Sequence, residues 1–197
     1  AGDAEWVVVD GGSRDDTAAQ IAAAGLPLLQ ADGGRGPQLN AGAAAARGDI
    51  LIFLHVDTVL PATALADVAA ALRAGDRCWG RFDVCIDGRS RLLPLVAWLM
   101  NRRSRLTGIC TGDQVQFMTR AAFAAAGGFP AQPLMEDIEI SRRLLRLSRP
   151  ACLRTPVITS GRRWDSRGAW RTILLMWRLR WQYWRGVPAE RIAEAYR

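Results

Sequence analysis

The 26 basic residues are all arginine, and no lysine occurs. There is one histidine, His55, and the cysteines Cys78, Cys85, Cys110 and Cys152 form no C-x-x-C pair. That shortage of soft, closely spaced ligands argues against a zinc site. Reduced, mostly buried thiols in a cytosolic protein are the expectation. No apolar run reaches the roughly 18 residues that span a bilayer, and no signal peptide is visible at the start. Neither "DGGSRD" nor "DGGRGP" has the G-x-G-x-x-G spacing of a dinucleotide fingerprint.

What is present is ordinary globular material. Of 197 residues, 50% are hydrophobic and 23% charged, enough for one α/β domain and against disorder. The net charge of +7 comes from arginines concentrated after residue 100. Such a surface attracts phosphate, nucleic acid or anionic lipid, and charge alone does not choose among them.

"EWVVVD", "LPLLQA" and "DILIFLHVD" are apolar runs of strand composition, separated by helical stretches. The first helix takes Ser13 or Asp15 as its cap and stops at Gly25. Pro37 stands near the start of the second, and Pro61 opens a third, running to about Ala74. This β-α-β-α-β-α order predicts a parallel sheet covered on both faces. Later, "RFDVCID", "QVQFMT" and "CLRTPVITS" read as strands. "RLLPLVAWLMNRRSR", "RAAFAAAGGFP" and "EDIEISRRLLRL" read as helices, as does about Ser166 to Arg185, with a last helix after Pro188.

Asp10 ends one strand, and His55 and Asp57 end another. Ligands of an open parallel sheet bind beyond the carboxyl ends of its strands, so all three are expected at one crevice. In an extended "HVD" segment His55 and Asp57 share a face, where they would hold Mg²⁺ or, with imidazole better tolerated, Mn²⁺. A turn cap and a local hydrogen bond explain the pair equally well. Gly11 and Gly12 permit a sharp turn with close backbone approach. "EDIE", Glu136 to Glu139, is an acidic first helical turn favoured by the macrodipole.

Five of the eight tryptophans lie between positions 164 and 184. Trp170, Trp177, Trp181 and Trp184 share one helical face with Ile173 and Leu174, flanked by Arg171, Arg178 and Arg185. An aromatic stripe at this spacing ordinarily packs on its own domain. With arginines beside it, it also suits an anionic membrane surface. Single-stranded nucleic acid is the third reading, and no recognition motif supports it.

Together "VVVDGGSRDDT", "GRGPQLNAGAAAARGDILIFLHVDTVLP", "RLTGICTGDQVQFMTRAAFAAAGGFP" and "PLMEDIEISRRL" resemble glycosyltransferase family 2 along essentially the whole chain. More narrowly, they resemble the bacterial subgroup labelled rSAM/selenodomain-associated transferase 2. The resemblance implies an α/β, GT-A, Rossmann-like fold with a mostly parallel sheet flanked by helices and a C-terminal aromatic and basic helix. It implies a single domain: a nucleotide-binding half over 1–75, an acceptor half over 76–164 and C-terminal helices over 165–197. The implied reaction is inverting sugar transfer from a nucleoside-diphosphate donor to an acceptor hydroxyl, with Mg²⁺ or Mn²⁺.

Residue roles follow from the same resemblance. Asp10, Gly11 and Ser13 would meet the nucleotide, and Arg35 and Asn40 would lie near it or its phosphates. Asp57, with His55 beside it, would hold the metal. Asp137 would be the general base and Glu136 its orienting neighbour or an acceptor contact. Gly112, Asp113 and Gln114 would line the sugar or acceptor pocket, and Arg162, Arg163 and Trp164 would close over the diphosphate. The acceptor is expected to be lipid-linked, at the inner face of the cytoplasmic membrane. The alternative is an inactive remnant that binds a membrane or a partner.

Three departures bear on these expectations. The family usually has Asp-x-Asp where His55-Val56-Asp57 stands. Ser160 occupies the place of glutamine in a Q-x-x-R-W loop, which removes support for processive polymerisation. The family also begins with another strand, a loop and a helix, so the chain is expected to be truncated.

Overall fold

The computed structural model describes residues 4–195, the side chains of residues 167 and 169 apart. Thus the first three and last two residues of the expected halves lie outside it. β1 (Val8–Asp10) and β2 (Leu28–Gln30) pair in parallel, joined by α1 (Thr17–Ala23). α1 starts later than expected. The Ser13 hydroxyl donates to Asp10, and Asp15 accepts from the N–H of Thr17 at 3.1 Å, so neither residue is the N-cap. Gly25 ends the helix with φ 67°.

α2 (Arg35–Ala45) leads to β3 (Ile50–Phe53), the short β4 (Thr58–Val59) and α3 (Ala64–Arg73). β5 (Trp79–Asp87) is followed by α4 (Leu93–Thr107), which has Pro94 in its first turn, where no intrahelical N–H is needed. A 3₁₀ turn (Gly112–Gln114) precedes β6 (Gln116–Thr119) and α5 (Arg120–Ala125). α6 (Glu136–Leu144), β7 (Ala151–Ser160), α7 (Arg162–Arg167), α8 (Ala169–Trp184) and α9 (Ala189–Glu194) complete the chain. The single helix expected from about Ser166 is broken at Gly168, whose φ is 82°.

The larger sheet runs β3-β6-β5-β7-β4. Its longest pairing, β5 with β7, is parallel, from Gly80 opposite Ala151 to Asp87 opposite Ser160. β6 lies antiparallel between β3 and β5, and β4 is antiparallel to β7. Successive strand residues feed opposite faces. Met118 joins Leu51, Phe53, Trp79, Ile140 and Leu144 in one core, and Phe117 joins Phe82, Val84, Val96 and Val157 in the other. Both faces are therefore covered by helices, as an α/β fold requires.

The expected single sheet is divided. β1 and β3 do not hydrogen-bond, and the strands form two sheets. Val8 and Val9 face Ile50 to Phe53 across a cavity of about 1850 Å³. The same cavity opens onto the polar residues described next.

Candidate active site

Asp137 is fixed by two backbone donors. It is the second residue of α6, and its carboxylate accepts the N–H of Gly112 at 2.9 Å and that of Ile138 at 2.8 Å. Among the described residues only Val115 and Met135 are non-glycines with positive φ, at 49° and 67°. Val115 ends the 3₁₀ turn that carries Gly112, and Met135 immediately precedes Glu136. Strained backbone thus brackets both segments that meet at Asp137.

The carbonyl of Asp137 is held as well. It accepts from Ser141 Oγ at 2.7 Å and from Gln116 Nε2 at 3.1 Å, and Ser141 in turn accepts the Cys110 N–H. Sequence reasoning missed these braces. The i,i+4 spacing of Asp137 and Ser141 was their only signal.

Burial pushes the Asp137 carboxyl above the ordinary carboxylate range. The N–H groups of Gly112 and Ile138 offset this in part, and the charge of Asp113 adds to it. Glu136, which is buried, is raised by burial first and by Asp137 second. Its Oε1 lies 3.7 Å from Nη1 of Arg35. Asp113 behaves oppositely. Burial works against its charge, but the nearby His55, with Arg35 and Arg163, holds its pKa below the usual value. His55 Nδ1 lies 3.7 Å from Asp113 Oδ1, and the imidazole rests on Gly112, where a Cβ would strike it.

β3 ends at Phe53, and a turn closed by the Thr58 N–H on the His55 carbonyl, at 3.1 Å, carries His55 and Asp57. They therefore sit across a turn, not along an extended strand as the spacing suggested. Asp57 is exposed on the cleft wall. Among the described residues no three His, Cys, Asp or Glu side chains gather as a ready metal cage.

The cleft brings together Arg35, His55, Asp57, Gly112, Asp113, Glu136, Asp137, Arg163 and Trp164. Asp10, Gly11, Ser13, Asn40, Gln114 and Arg162 are not on its wall. Asp10 accepts from the backbone N–H groups of Gly12 and Ser13 at 3.3 and 3.1 Å, and the Ser13 hydroxyl leads these bonds in lowering its pKa. Gly11 lies against the side-chain amide of Gln38. Asn40 clamps α2 to Phe129, donating to its carbonyl at 2.8 Å and accepting its N–H at 2.9 Å. Gln114 is buried and donates to Asn101 and Ser104 on α4. Arg162 is exposed.

The cysteines need one correction. All four are free, but only Cys110 is fully buried, and Cys85 is exposed. Burial pushes the Cys110 thiol up to about 12, so it is inert as a nucleophile.

The family model described as glycosyl transferase family 2 matches residues 1–125. No curated protein matches the sequence. The crystal structure of S. aureus TarS 1–349 is similar with a TM-score of 0.62 and 19% identity, covering 80% of this chain and 51% of that one. Mannosyltransferase PcManGT from Pyrobaculum calidifontis, in complex with GDP-Man and Mn²⁺, has a TM-score of 0.58 at 19% identity, over 89% and 51% of the two chains. Glucosyl-3-phosphoglycerate synthase from Mycobacterium tuberculosis, in complex with Mg²⁺ and UDP, has a TM-score of 0.53 at 22% identity, over 78% and 58%. The fold they share with this chain is GT-A. The chain spans about half the length of these structures.

Proposed function

The chain belongs to glycosyl transferase family 2, and from that premise we propose that it transfers a sugar, with inversion, from a nucleoside-diphosphate donor to an acceptor hydroxyl. One observation carries the proposal: a partly buried carboxylate of raised pKa, Asp137, is held by the Gly112 N–H at the wall of an arginine-lined cleft. A base poised above the usual carboxylate range accepts a hydroxyl proton more readily than an ordinary aspartate.

Asp137 takes the proton as the acceptor oxygen bonds to the anomeric carbon. The bond from that carbon to the diphosphate oxygen breaks, and the nucleoside diphosphate departs with the electron pair. Arg35 and Arg163 face its developing negative charge from the cleft wall. Glu136 is placed by Arg35 beside the base. Asp57 and His55 provide a carboxylate and an imidazole for Mg²⁺ or Mn²⁺, ions that leave most of their shell to water and substrate phosphates. When bound, the ion supplies further positive charge to the leaving diphosphate. GDP-Man with Mn²⁺, and UDP with Mg²⁺, in similar structures support this choice.

The acceptor in this reading is lipid-linked and met at the inner face of the cytoplasmic membrane, and the aromatic α8 supports that placement. The unpaired edges of β1 and β3 support a further strand between them. An inactive, membrane-binding remnant is the second reading, favoured by the same exposed helix.

Calorimetric titration of UDP and GDP, with and without Mn²⁺, tests the proposal. Metal-dependent binding of one nucleotide is the expected result. Vesicle binding with no nucleotide binding, even after a strand is added ahead of β1, would favour the remnant.

A further inference from the structure

The tryptophan stripe of α8 does not pack on the domain. Trp170, Trp177, Trp181 and Trp184 are 58–80% exposed, and Leu174 between them is 64% exposed. The opposite face of the helix makes the core contacts, through the buried Thr172 and Leu179. So the stripe is a second apolar face. It runs about 21 Å along one straight helix. A patch of this kind on an isolated chain marks an interaction surface.

α4 extends it. Trp98, Leu95, Leu99 and Leu106 are all exposed. The last two are one turn either side of Arg103, which meets Trp177 and Trp181 of α8 at a shared pocket. Neither helix contains an acidic residue. The cations lie beside the rings: Arg102 is 5.5 Å from the Trp98 ring centre and Arg185 is 5.4 Å from that of Trp181. Tryptophan with arginine, and no carboxylate, is the composition of a helix lying at an anionic headgroup layer. Among the described residues no helix is long and apolar enough to cross a membrane.

The pocket of about 510 Å³ between the helices carries Arg103, Arg178 and Arg180. Nε and Nη2 of Arg103 are buried with no hydrogen-bond partner among the described residues. The charge of Asp137 already acts on this guanidinium. Arg180 also lines the catalytic cleft.

We propose that the α4–α8 face docks this chain on an anionic phospholipid bilayer, with lipid phosphates met by the arginines that flank its tryptophans. The cleft then opens at headgroup depth through Arg180. These observations are independent of the catalytic reading, and so is their test.

The experiment is co-sedimentation of the full chain with phosphatidylcholine vesicles, with and without phosphatidylglycerol. Binding is expected only with phosphatidylglycerol, weakening as salt rises. Arg178→Gln should weaken it about five-fold, the worth of one basic residue near such a surface. Trp177→Ala with Trp181→Ala, both at exposed positions, should weaken it about ten-fold or more. Equal binding to neutral vesicles, or parental binding by both variants, would overturn the proposal.

Discussion

The cleft around Asp137 and the outer face of α4 and α8 satisfy their side chains in opposite ways. In the cleft, Asp137 has backbone donors on its carboxylate and Ser141 and Gln116 on its carbonyl. Desolvation there raises its pKa. On the outer face, four tryptophans and their arginines are largely exposed, and part of Arg103 is buried without a hydrogen-bond partner. The first region is organised before any ligand arrives, as proton transfer demands. The second is complete only when something covers it.

The largest expected effect breaks the cleft at its centre. Asp137→Asn should lower turnover by about 10³-fold while leaving donor affinity nearly unchanged. Parental turnover in a steady-state assay would move the base elsewhere. Gly112→Ala is next. Its Cβ strikes His55 and displaces the segment that donates to Asp137. A loss of about 100-fold in turnover is expected, with the melting temperature changed far less.

Asn40→Ala separates structure from binding. It strips Phe129 of two backbone hydrogen bonds. A loss of about 2 kcal/mol in denaturant unfolding is expected, with unchanged nucleotide affinity. A selective loss of affinity at parental stability would place Asn40 at the nucleotide site.

The smallest effect is electrostatic. The Glu136 pKa is raised on folding, so the folded state binds more protons than the unfolded. Stability should therefore fall as pH rises from the ordinary glutamate value through the raised one. Glu136→Gln should lack that fall. It should melt higher than the parent at pH 8 and alike in acid below the ordinary value. An equal difference at both pH values would contradict the assignment. Activity should rise with pH through the raised Asp137 pKa, with its acidic limb above the usual aspartate range.

Much of the site was legible because its residues stand at element ends. "MEDIE" had to start a helix, so Glu136 and Asp137 had to share its first turn. "TGDQ" supplied Gly112 and Asp113 as a turn before a strand. Three of the expected residues lie off the cleft wall with local partners. Asp10 organises its own turn, Asn40 clamps Phe129, and Gln114 braces α4. The i,i+2 reading of His55 and Asp57 failed because β3 stops at Phe53 and a turn intervenes.

The sequence by itself determined the alternation of helices and strands, the excess of arginine, the acidic helix start and the spacing of the tryptophans. These follow from periodicity and residue chemistry, which act over a few residues. Only the tertiary structure decided that the Gly112 N–H reaches Asp137, 25 residues away, that β1 and β3 leave a gap, and that the aromatic stripe faces outward. Each depends on which distant surfaces pack together. In α8 the core took Leu179 and Thr172 and left the tryptophans outside, a choice that a helical period cannot encode.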